Sequence, residues 1–420
     1  MAVTAKPRLS KVTVLGAGRS GQAAAGLALA RGAHEVVLTD LNTEAQRYQG
    51  PGADRVRHVF GVHDESDLTH TNLVVLSPGI PARAAPVKTA QAAGVEVVGE
   101  LGFAARYLPK TQPILAITGT NGKSTVTHFL SQILASAGLK TFSGGNLGTP
   151  LSAAVGKGFQ VLAVEVSSYQ LELPGDFSPL AAVILNLSPD HLARHGDMAG
   201  YARAKARIFD GLRPESLAGM PHQEDLKVAA KDKPGRRVWL DDVDVDQPVL
   251  DSLCVLGAHN RWNAAVAMLL AAQVGVVPQD LSALQGLPHR LEPVLSRDQR
   301  IWINDSKATN VEAAQVGISA LEGPGVVLLG GQGKGGADYS MLKSAISGRP
   351  LICFGQAGPE IHAVLGGELV ATMEQAVARA QQLSVPGESV LLSPACSSFD
   401  AFDNFEQRGQ IFARLVQELS

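Results

Sequence analysis

ILAITGTNGKST, residues 114–125, joins a short apolar run to a glycine-bearing turn that ends in Lys-Ser-Thr. The apolar run predicts a buried strand, and residues 126–137 have the apolar spacing of a helix. A strand, a glycine loop and a helix start in this order form a phosphate cradle, in which backbone N–H groups face the anion. Lys123 would add positive charge, and the Ser124 hydroxyl could bind Mg²⁺. Ile117 stands where the common phosphate loop has a glycine, so this loop is a shorter variant. The stretch predicts an ATP site.

The bulk composition describes a globular protein of several domains. The chain has 420 residues, with 45% apolar and 18% charged residues, and a length of this order suggests about three domains. A net charge of −3, from 36 basic and 39 acidic residues, argues against nucleic-acid binding as the main function and leaves a local basic patch open. The three cysteines are far apart, so we expect no disulfide framework, no zinc site and a reducing cytoplasm. Neither a signal peptide nor a membrane span is expected.

A second glycine motif lies near the N-terminus. Residues 11–15 (KVTVL) predict a strand, followed by Gly16, Gly18 and Gly21, a helix to about residue 31, and a second strand that ends at Asp40. This spacing is the dinucleotide fingerprint of a Rossmann unit. Because the acid can hold any ribose, NAD, FAD and other nucleotides all remain open. A dehydrogenase is therefore one alternative function, and a non-catalytic nucleotide switch is another.

Polar residues follow most of the strongly apolar runs. Glu165 ends one run, Asp190 and His191 follow the next, and Asp305 follows a later one. In open parallel sheets, ligands bind beyond the carboxyl ends of the strands, so we expect these side chains to gather there. On spacing alone, Lys205 is predicted to be a solvent-exposed lysine of a helix. The polar segment 210–249 gives no clear secondary-structure pattern.

The order of these patterns predicts an α/β protein with three consecutive domains. Residues 1–100 would form a Rossmann-like N-terminal domain. Residues 101–286 would form a central P-loop ATPase-like domain with a mostly parallel sheet, and residues 287–420 a Rossmann-like C-terminal domain.

Several motifs carry a resemblance to a known family. GTNGKST (119–125) resembles the ATP loop of the Mur ligases and the folylpolyglutamate synthetases. Further stretches resemble the branch of the Mur ligases that adds D-glutamate: GGNLGTP (144–150), EVSSYQLE (165–172), LGAHNRWN (256–263), LPHRLEPV (287–294), NDSKATN (304–310) and LSPACSSFDAFDNFEQRG (392–409). They run in family order over nearly the whole chain, and the last is the most specific.

The resemblance implies an ATP-dependent ligase of cytoplasmic peptidoglycan precursor synthesis. Such an enzyme joins D-glutamate to UDP-N-acetylmuramoyl-L-alanine. ATP phosphorylates the carboxylate of the UDP-sugar-alanine, and the amine of D-glutamate attacks the resulting acyl phosphate. ADP and phosphate are released. We expect a monomer with no nucleic acid partner, whose C-terminal domain closes over ATP.

The resemblance also assigns catalytic and metal-binding residues. It implies that Lys123 and a first Mg²⁺, on Ser124 and Glu165, hold the β- and γ-phosphates. A second Mg²⁺ would lie between His191 and a carbamylated Lys205. Carbamylation requires the neutral amine, so we predict that the pKa of Lys205 is lowered.

Three groups of binding residues follow in the same way. The ATP residues are Gly119, Thr120, Asn121, Gly122, Lys123, Ser124, Thr125, Asn263, Arg290 and Asp305. The residues for the UDP-substrate are Gly16, Gly18, Arg19, Ser20, Asp40, Ser77, Pro78, Gly79, Asn146, Ser167 and His191. The residues for D-glutamate are Thr309, Lys334, Ser398, Phe399 and Phe405.

Two departures from the family pattern remain. Leu41 and Asn42 follow Asp40 where some relatives have an arginine near the uracil, so no uracil contact beyond Asp40 is predicted. The Asn-Ala-Asp-Asp stretch of the family is not recognisable in residues 210–249.

Overall fold

Three mostly parallel sheets organise the described part of this chain, and they confirm the predicted α/β class. The computed structural model describes residues 9–146, 148–333 and 335–419. The sheets have five, six and six strands in chain order. The described residues form two compact units, one running to Val249 with Asn263–Gln279, the other comprising Leu250–Trp262 and the chain from Asp280 onward. The first unit contains two of the sheets and the second contains one.

The first sheet has the strand order β3-β2-β1-β4-β5 and is parallel throughout. Its elements are β1 (Lys11–Leu15), α1 (Arg19–Ala30), β2 (Glu35–Asp40), β3 (Val56–Phe60), α2 (Glu65–Thr69), β4 (Leu73–Leu76), α3 (Ala85–Ala92), β5 (Glu96–Gly99) and α4 (Glu100–Ala105). The strand order reverses direction between β1 and β4. That point is where open α/β sheets bind their ligands, and both the glycine turn after β1 and the Ser77 turn after β4 lie there.

The second sheet has the order β11-β10-β9-β6-β8-β7 and is also parallel. Its elements are β6 (Ile114–Thr118), α5 (Lys123–Ser136), β7 (Thr141–Gly145), β8 (Val161–Glu165), β9 (Ala181–Ile184), α6 (Leu192–His195), α7 (Met198–Ala206), β10 (Leu217–Met220), α8 (Glu224–Ala230) and β11 (Arg236–Trp239). Helix α9 (Ala258–Ala271) follows, and its residues from Asn263 onward belong to the first unit. Every residue of β6 and β8 is buried, as expected for central parallel strands.

The unassigned segment 210–249 contains two further strands of this second sheet. β10 reads Leu-Ala-Gly-Met and β11 reads Arg-Arg-Val-Trp, and the two pair in parallel with each other. Both are only four residues long, and β11 carries two arginines, so neither gives the long apolar run that reveals a buried strand.

The third sheet has the order β12-β13-β17-β14-β15-β16, with β12 antiparallel and the other strands parallel. Its elements are β12 (Glu292–Val294), β13 (Ile301–Asn304), α10 (Val311–Ser319), β14 (Gly325–Gly330), α11 (Lys343–Ile346), β15 (Leu351–Phe354), α12 (Gly358–Leu365), β16 (Glu368–Leu369), α13 (Met373–Leu383), β17 (Ser389–Leu392) and α14 (Phe405–Gln417). None of the helices in the described part of the chain combines the length and apolar character that crossing a bilayer requires.

Candidate functional site

The loop between β6 and α5 has the backbone shape of an anion cradle. Gly119 and Gly122 have φ of 155° and 82°, values that residues with a side chain rarely adopt. Gly122 is the residue that precedes the first turn of α5, and Lys123 and Ser124 begin that helix. The N-terminus of α5 therefore opens at this loop. The N–H groups in the first turn of a helix have no acceptor within the helix itself, and they favour a negative charge there.

The segment after β9 fixes the loop from the side. The carboxamide of Asn186 accepts hydrogen bonds from the backbone N–H of Thr120 (3.1 Å) and of Asn121 (2.9 Å), and it donates to the carbonyl oxygen of Asn121 (3.2 Å). The backbone N–H of Ser188 donates to Thr120 Oγ1 at 3.1 Å. These bonds join the ends of two adjacent strands, because β6 and β9 are neighbours in the sheet.

Two lysine amines converge on one carbonyl oxygen of the loop. Lys123 Nζ donates to Gly119 O at 2.9 Å and to Thr120 O at 2.8 Å. Lys205 Nζ donates to the same Gly119 O at 2.7 Å. The solvent exposure that spacing alone predicts for Lys205 is wrong, because Tyr201, Ala202, Lys205 and Ala206 share the buried face of α7.

The predicted lowering of the pKa of Lys205 is confirmed. Lys205 is only 1% exposed, and burial is the main cause that holds the pKa of its amine well below the ordinary value of 10.5. The neighbouring positive charge of Lys123 lowers it further, while Asp190 and Glu165 act in the opposite direction. A neutral amine is the form that can react with carbon dioxide.

Glu165 lies at the end of β8, opposite Ile117 of the phosphate-loop strand. Its Oε1 accepts a hydrogen bond from Asn146 Nδ2 at 2.8 Å, whereas its buried Oε2 has no hydrogen-bond partner. A buried carboxylate oxygen without a donor is costly unless a cation or a water binds there. Ser124 is also nearly buried, at 8% exposure. Asn146, predicted to contact the UDP-substrate, therefore holds the carboxylate of Glu165.

His191 follows β9 and stands directly before α6, with φ of 54°. Its Nδ1 lies 3.1 Å from the hydroxyl of Tyr169, and its Nε2 lies 3.5 Å from Asp190 Oδ2. The imidazole is 46% exposed. In the described residues no group of three or more His, Cys, Asp or Glu side chains is placed to hold a metal ion. Mg²⁺ usually keeps several waters and few protein ligands, so such a group is not required.

The glycine turn after β1 is closed by Asp40, the last residue of β2, and by Ser77, which follows β4. Asp40 Oδ2 accepts from the N–H of Ala17 at 2.7 Å, and Ser77 Oγ donates to the carbonyl oxygen of Gly16 at 3.0 Å. A Cβ at Gly21 would lie 1.8 Å from Gly16 O, so the third glycine allows α1 to approach the turn. Gly18, by contrast, has open space beside it.

The other residues predicted for the UDP-substrate lie on nearby turns. Arg19 and Ser20 begin α1, and Pro78 and Gly79 follow Ser77 at the end of β4. Ser167 donates through its hydroxyl to Gln170 Oε1 at 3.0 Å, within the turn after β8. These positions all lie beyond the carboxyl ends of strands.

The residues predicted for ATP are divided between the two units. Asn263, on α9 in the first unit, places its Oδ1 3.1 Å from where a Cβ on Gly122 would stand. Arg290 and Asp305 belong to the second unit. There, Asp305 Oδ2 accepts from Ser393 Oγ at 2.7 Å, which joins the ends of β13 and β17. Burial raises the pKa of Asp305 to about 7, and the charge of Arg290 opposes that rise.

The residues predicted for D-glutamate follow three elements of the second unit. Thr309 lies after β13, Ser398 is 2% exposed after β17, and Phe405 begins α14. Phe399 is 66% exposed. Lys334 lies outside the described residues.

Arg408 joins the loops that carry these residues. The guanidinium is fully buried and donates to the carbonyl oxygens of Ser306 (2.8 Å), Cys396 (3.1 Å) and Ser397 (3.1 Å). Lys307 Nζ lies 3.8 Å from the centre of the Phe405 ring. Neither Arg408 nor Lys307 was singled out from the sequence, although both lie inside the quoted motifs.

The matching family models and the named relatives indicate one family. The chain matches the Mur ligase middle domain over residues 117–240 and the N-terminal domain of MurD-like Mur ligases over residues 10–99. It is 37% identical to the UDP-N-acetylmuramoylalanine–D-glutamate ligase of Desulfosudis oleivorans, over 97% of this chain and 96% of that protein. It is 39% identical to the ligase of the same name from Anaeromyxobacter dehalogenans, over 97% of this chain and 98% of that protein.

Solved structures share the fold at lower identity. The MurF ligase of Thermotoga maritima in complex with ADP matches with a TM-score of 0.62 and 17% identity, over 98% of this chain and 96% of that one. The UDP-N-acetylmuramate–alanine ligase MurC of Thermotoga maritima matches with a TM-score of 0.55 and 17% identity, over 96% of this chain and 98% of that one.

Proposed function

The chain belongs to the Mur ligase family, and we propose that it is the ATP-dependent ligase that joins D-glutamate to UDP-N-acetylmuramoyl-L-alanine. The observation that carries this proposal is the pair of amines at the phosphate loop. Lys123 and Lys205 both donate to Gly119 O, and burial holds the pKa of the Lys205 amine well below its ordinary value. The same sheet carries Glu165, whose buried Oε2 has no hydrogen-bond partner. A nucleotide switch that only hydrolyses ATP has no use for a buried lysine of lowered pKa at this place.

Each of the three sheets would serve one reactant. We assign residues 1–100 to the UDP-substrate, residues 101–286 to ATP, and residues 287–420 to D-glutamate. The three sheets fall within these ranges, which supports the assignment. In the first domain the turn formed by Gly16, Gly18, Arg19 and Ser20 would hold the UDP group, together with Asp40 and the Ser77-Pro78-Gly79 turn.

The reaction requires the protein to bring two anions together. A carboxylate oxygen of the alanyl group attacks the γ-phosphorus of ATP, and ADP leaves with the electrons of the broken P–O bond. The amine of D-glutamate then attacks the carbonyl carbon of the acyl phosphate, phosphate leaves with the bridging oxygen, and the nitrogen loses a proton. Lys123 and the N-terminus of α5 would offset the repulsion between carboxylate and γ-phosphate.

The chemistry of the donor set fits Mg²⁺. Glu165 Oε2 is a buried hard oxygen without a partner, and Ser124 supplies a hydroxyl at the start of α5. His191 and a carbamate on Lys205 would hold a second ion. Bound Mg²⁺ would neutralise phosphate charge during the transfer. Asn146 keeps the carboxylate of Glu165 oriented through its 2.8 Å hydrogen bond.

The remaining predicted residues are assigned to the reactant that their side chains suit. Thr120, Asn121 and Thr125 of the loop would contact the phosphates, with Asn263 beside Gly122. Arg290 and Asp305 would contact the phosphates and ribose of ATP. Ser167 and His191 would contact the UDP-substrate. Thr309, Lys334 and Ser398 would bind the carboxylates of D-glutamate, since a dicarboxylic amino acid needs a cation and hydroxyl donors. Phe399 and Phe405 would shape that pocket.

We further propose that the protein acts in the cytoplasm as a monomer. The cysteines are free thiols, two of them buried, as is usual in a reducing compartment. Size-exclusion chromatography with light scattering would test the monomer.

The function is tested by phosphate release. The purified chain is mixed with MgATP, UDP-N-acetylmuramoyl-L-alanine and an amino acid, and inorganic phosphate is measured. We expect rapid release with D-glutamate and almost none with L-glutamate, L-lysine or L-alanine, or when the UDP-substrate is omitted. Release that does not depend on the amino acid would contradict the proposal, as would tight binding of NADH that UDP does not displace.

A further inference from the structure

Arg194 and Glu172 form an ion pair whose two members lie on different segments of the second sheet's carboxyl edge. Arg194 Nε donates to Glu172 Oε1 at 2.6 Å, and Arg194 Nη2 donates to Glu172 Oε2 at 3.0 Å. The side chains are only 11% and 18% exposed. A two-bond contact between a guanidinium and a carboxylate is directional as well as strong, and its low exposure reduces screening by solvent.

Both members of this pair also bind the turn after β4 of the first sheet. Arg194 Nη1 donates to Gly79 O at 3.2 Å, and Arg194 Nη2 donates to Ile80 O at 3.1 Å and to Pro78 O at 3.4 Å. Glu172 Oε2 accepts from the N–H of Ala82 at 2.9 Å. The pair therefore fixes the backbone of residues 78–82 from both its carbonyl and its N–H groups.

The other end of the network reaches His191. Arg194 lies one turn after His191, and its N–H donates to His191 O at 2.9 Å. The ring of Tyr169 lies 4.5 Å from the Arg194 guanidinium, and the Tyr169 hydroxyl lies 3.1 Å from His191 Nδ1. Tyr169, Glu172 and Pro78 also line one cavity together with Ser77.

We propose that Arg194 and Glu172 are a positioning pair that sets the distance between the turn of residues 77–80 and His191. This inference rests on the proposed function, in which that turn holds the UDP-substrate and His191 holds Mg²⁺. The carboxylate of the UDP-sugar-alanine must reach the metal-bound γ-phosphate, so the two segments must keep a fixed spacing. Arg194 would therefore affect the binding of both the UDP-substrate and Mg²⁺ without contacting either of them.

The first test separates the kinetic constants of Arg194→Gln. Phosphate release is measured while the UDP-substrate, Mg²⁺ and D-glutamate are varied in turn. We expect the KM for the UDP-substrate and the Mg²⁺ concentration at half-maximal rate each to rise about 10-fold or more, because the charged hydrogen bonds are lost. The KM for D-glutamate should stay within about twofold. Arg194→Lys keeps the charge but not the two-bond geometry, and its constants should lie between those of wild type and Arg194→Gln.

Arg106→Gln is the matched control. Arg106 is also little exposed, at 16%, and it also joins the first sheet to the second. It donates to Glu96 of β5 at 3.0 Å and to Asp176 after β8 at 2.7 Å. Among the described residues, the side-chain hydrogen bonds of Arg106 go to Glu96 and Asp176 and not to residues 77–82 or His191, so we expect both constants to remain those of the wild type.

Two results would overturn the proposal. One is a folded Arg194→Gln enzyme in which both constants equal those of the wild type. The other is an Arg106→Gln enzyme in which both constants rise as they do in Arg194→Gln. The effect would then come from a general weakening of the contacts between the first and second sheets. If Arg194→Gln does not fold, Glu172→Gln is read in its place and by the same criteria.

Hydrogen exchange separates this proposal from the proposed function. If the wild-type protein releases no phosphate, the proposed function fails. The role of the positioning pair is then judged by amide exchange in the same variants. Arg194→Gln should then exchange faster than wild type in residues 78–82 and 190–195, while Arg106→Gln should not. If amide exchange in Arg194→Gln equals that of the wild type in both segments, the positioning role of the pair is overturned, whatever the outcome for the proposed function.

Discussion

Replacing Asn186 with alanine removes the side chain that holds the phosphate loop in shape. Its carboxamide makes three hydrogen bonds to the backbone of Thr120 and Asn121, at 3.1, 2.9 and 3.2 Å. All three bonds go to backbone atoms of the loop, and Asn186 itself is not among the residues that we propose to contact phosphate. We therefore expect Asn186→Ala to weaken nucleotide binding, because the loop must regain its shape when the nucleotide binds.

The size of the effect follows from the bonds that are lost. The N–H of Thr120 keeps a second acceptor, the carbonyl oxygen of Asn186 at 3.1 Å. The loss therefore comes from the two hydrogen bonds between Asn186 and the backbone of Asn121, at about 1 kcal/mol each. Since Asn121 is exposed, water replaces part of both. The expected loss is about 1–2 kcal/mol, which corresponds to about a 5- to 30-fold weaker nucleotide affinity.

Titration calorimetry with a non-hydrolysable ATP analogue and Mg²⁺ measures this loss. Asn72→Ala is the matched control, because Asn72 Oδ1 likewise accepts from two successive backbone N–H groups, those of Ser10 (3.1 Å) and Lys11 (2.8 Å). We expect Asn72→Ala to bind the analogue as the wild type does. Wild-type affinity in folded Asn186→Ala would show that Asn186 does not hold the loop for the nucleotide, and an equal loss in Asn72→Ala would show that the effect is not specific to the loop.

Three further predictions concern buried ionisable side chains. Lys205→Ala should lose most of the ligase activity and regain part of it when short carboxylates are added. In mass spectrometry, bicarbonate carrying a heavy carbon isotope should label the wild-type protein but not Lys205→Arg. The absence of both rescue and label would contradict the role of a carbamate. Asp305 keeps its proton up to about pH 7 in the folded protein but loses it near 3.8 when unfolded, so the folded state binds more protons in this window and wild-type stability falls as pH rises through it. The free energy of unfolding of Asp305→Asn in urea, taken relative to that of wild type, should therefore rise with pH between about 3.8 and 7 and stay constant above pH 7. A difference that does not depend on pH would contradict this. Arg408→Leu should destabilise the protein by about 3–5 kcal/mol, because it leaves buried carbonyl oxygens unpaired, whereas Arg414→Leu, on the exposed face of the same helix, should change urea stability by less than about 0.5 kcal/mol.

The features that could be read from the sequence are the local ones. The phosphate loop is a contiguous stretch, and its strand, turn and helix start lie within residues 114–136 as predicted. Buried parallel strands are short apolar runs, and the polar residue that ends each run marks the edge where ligands bind. Glu165 and Asp305 were found in this way.

Contacts between distant segments could not be read in the same way. Lys205 lies on α7, 86 residues from the Gly119 carbonyl that it contacts, and a single buried lysine on a helix has the same local pattern as an exposed one. Asn186 reaches Asn121 across 65 residues. The pairing of β10 with β11 depends on neighbouring strands, since four residues with two arginines carry little pattern of their own.

The transfer of one oxygen atom from the substrate to phosphate tests whether the ligase forms an acyl phosphate. UDP-N-acetylmuramoyl-L-alanine is prepared with heavy oxygen in its alanyl carboxylate and is incubated with the enzyme, MgATP and D-glutamate. An acyl phosphate intermediate predicts that one heavy oxygen appears in each phosphate released, at a rate equal to that of amide formation. Phosphate that carries no heavy oxygen while the amide forms would contradict the account.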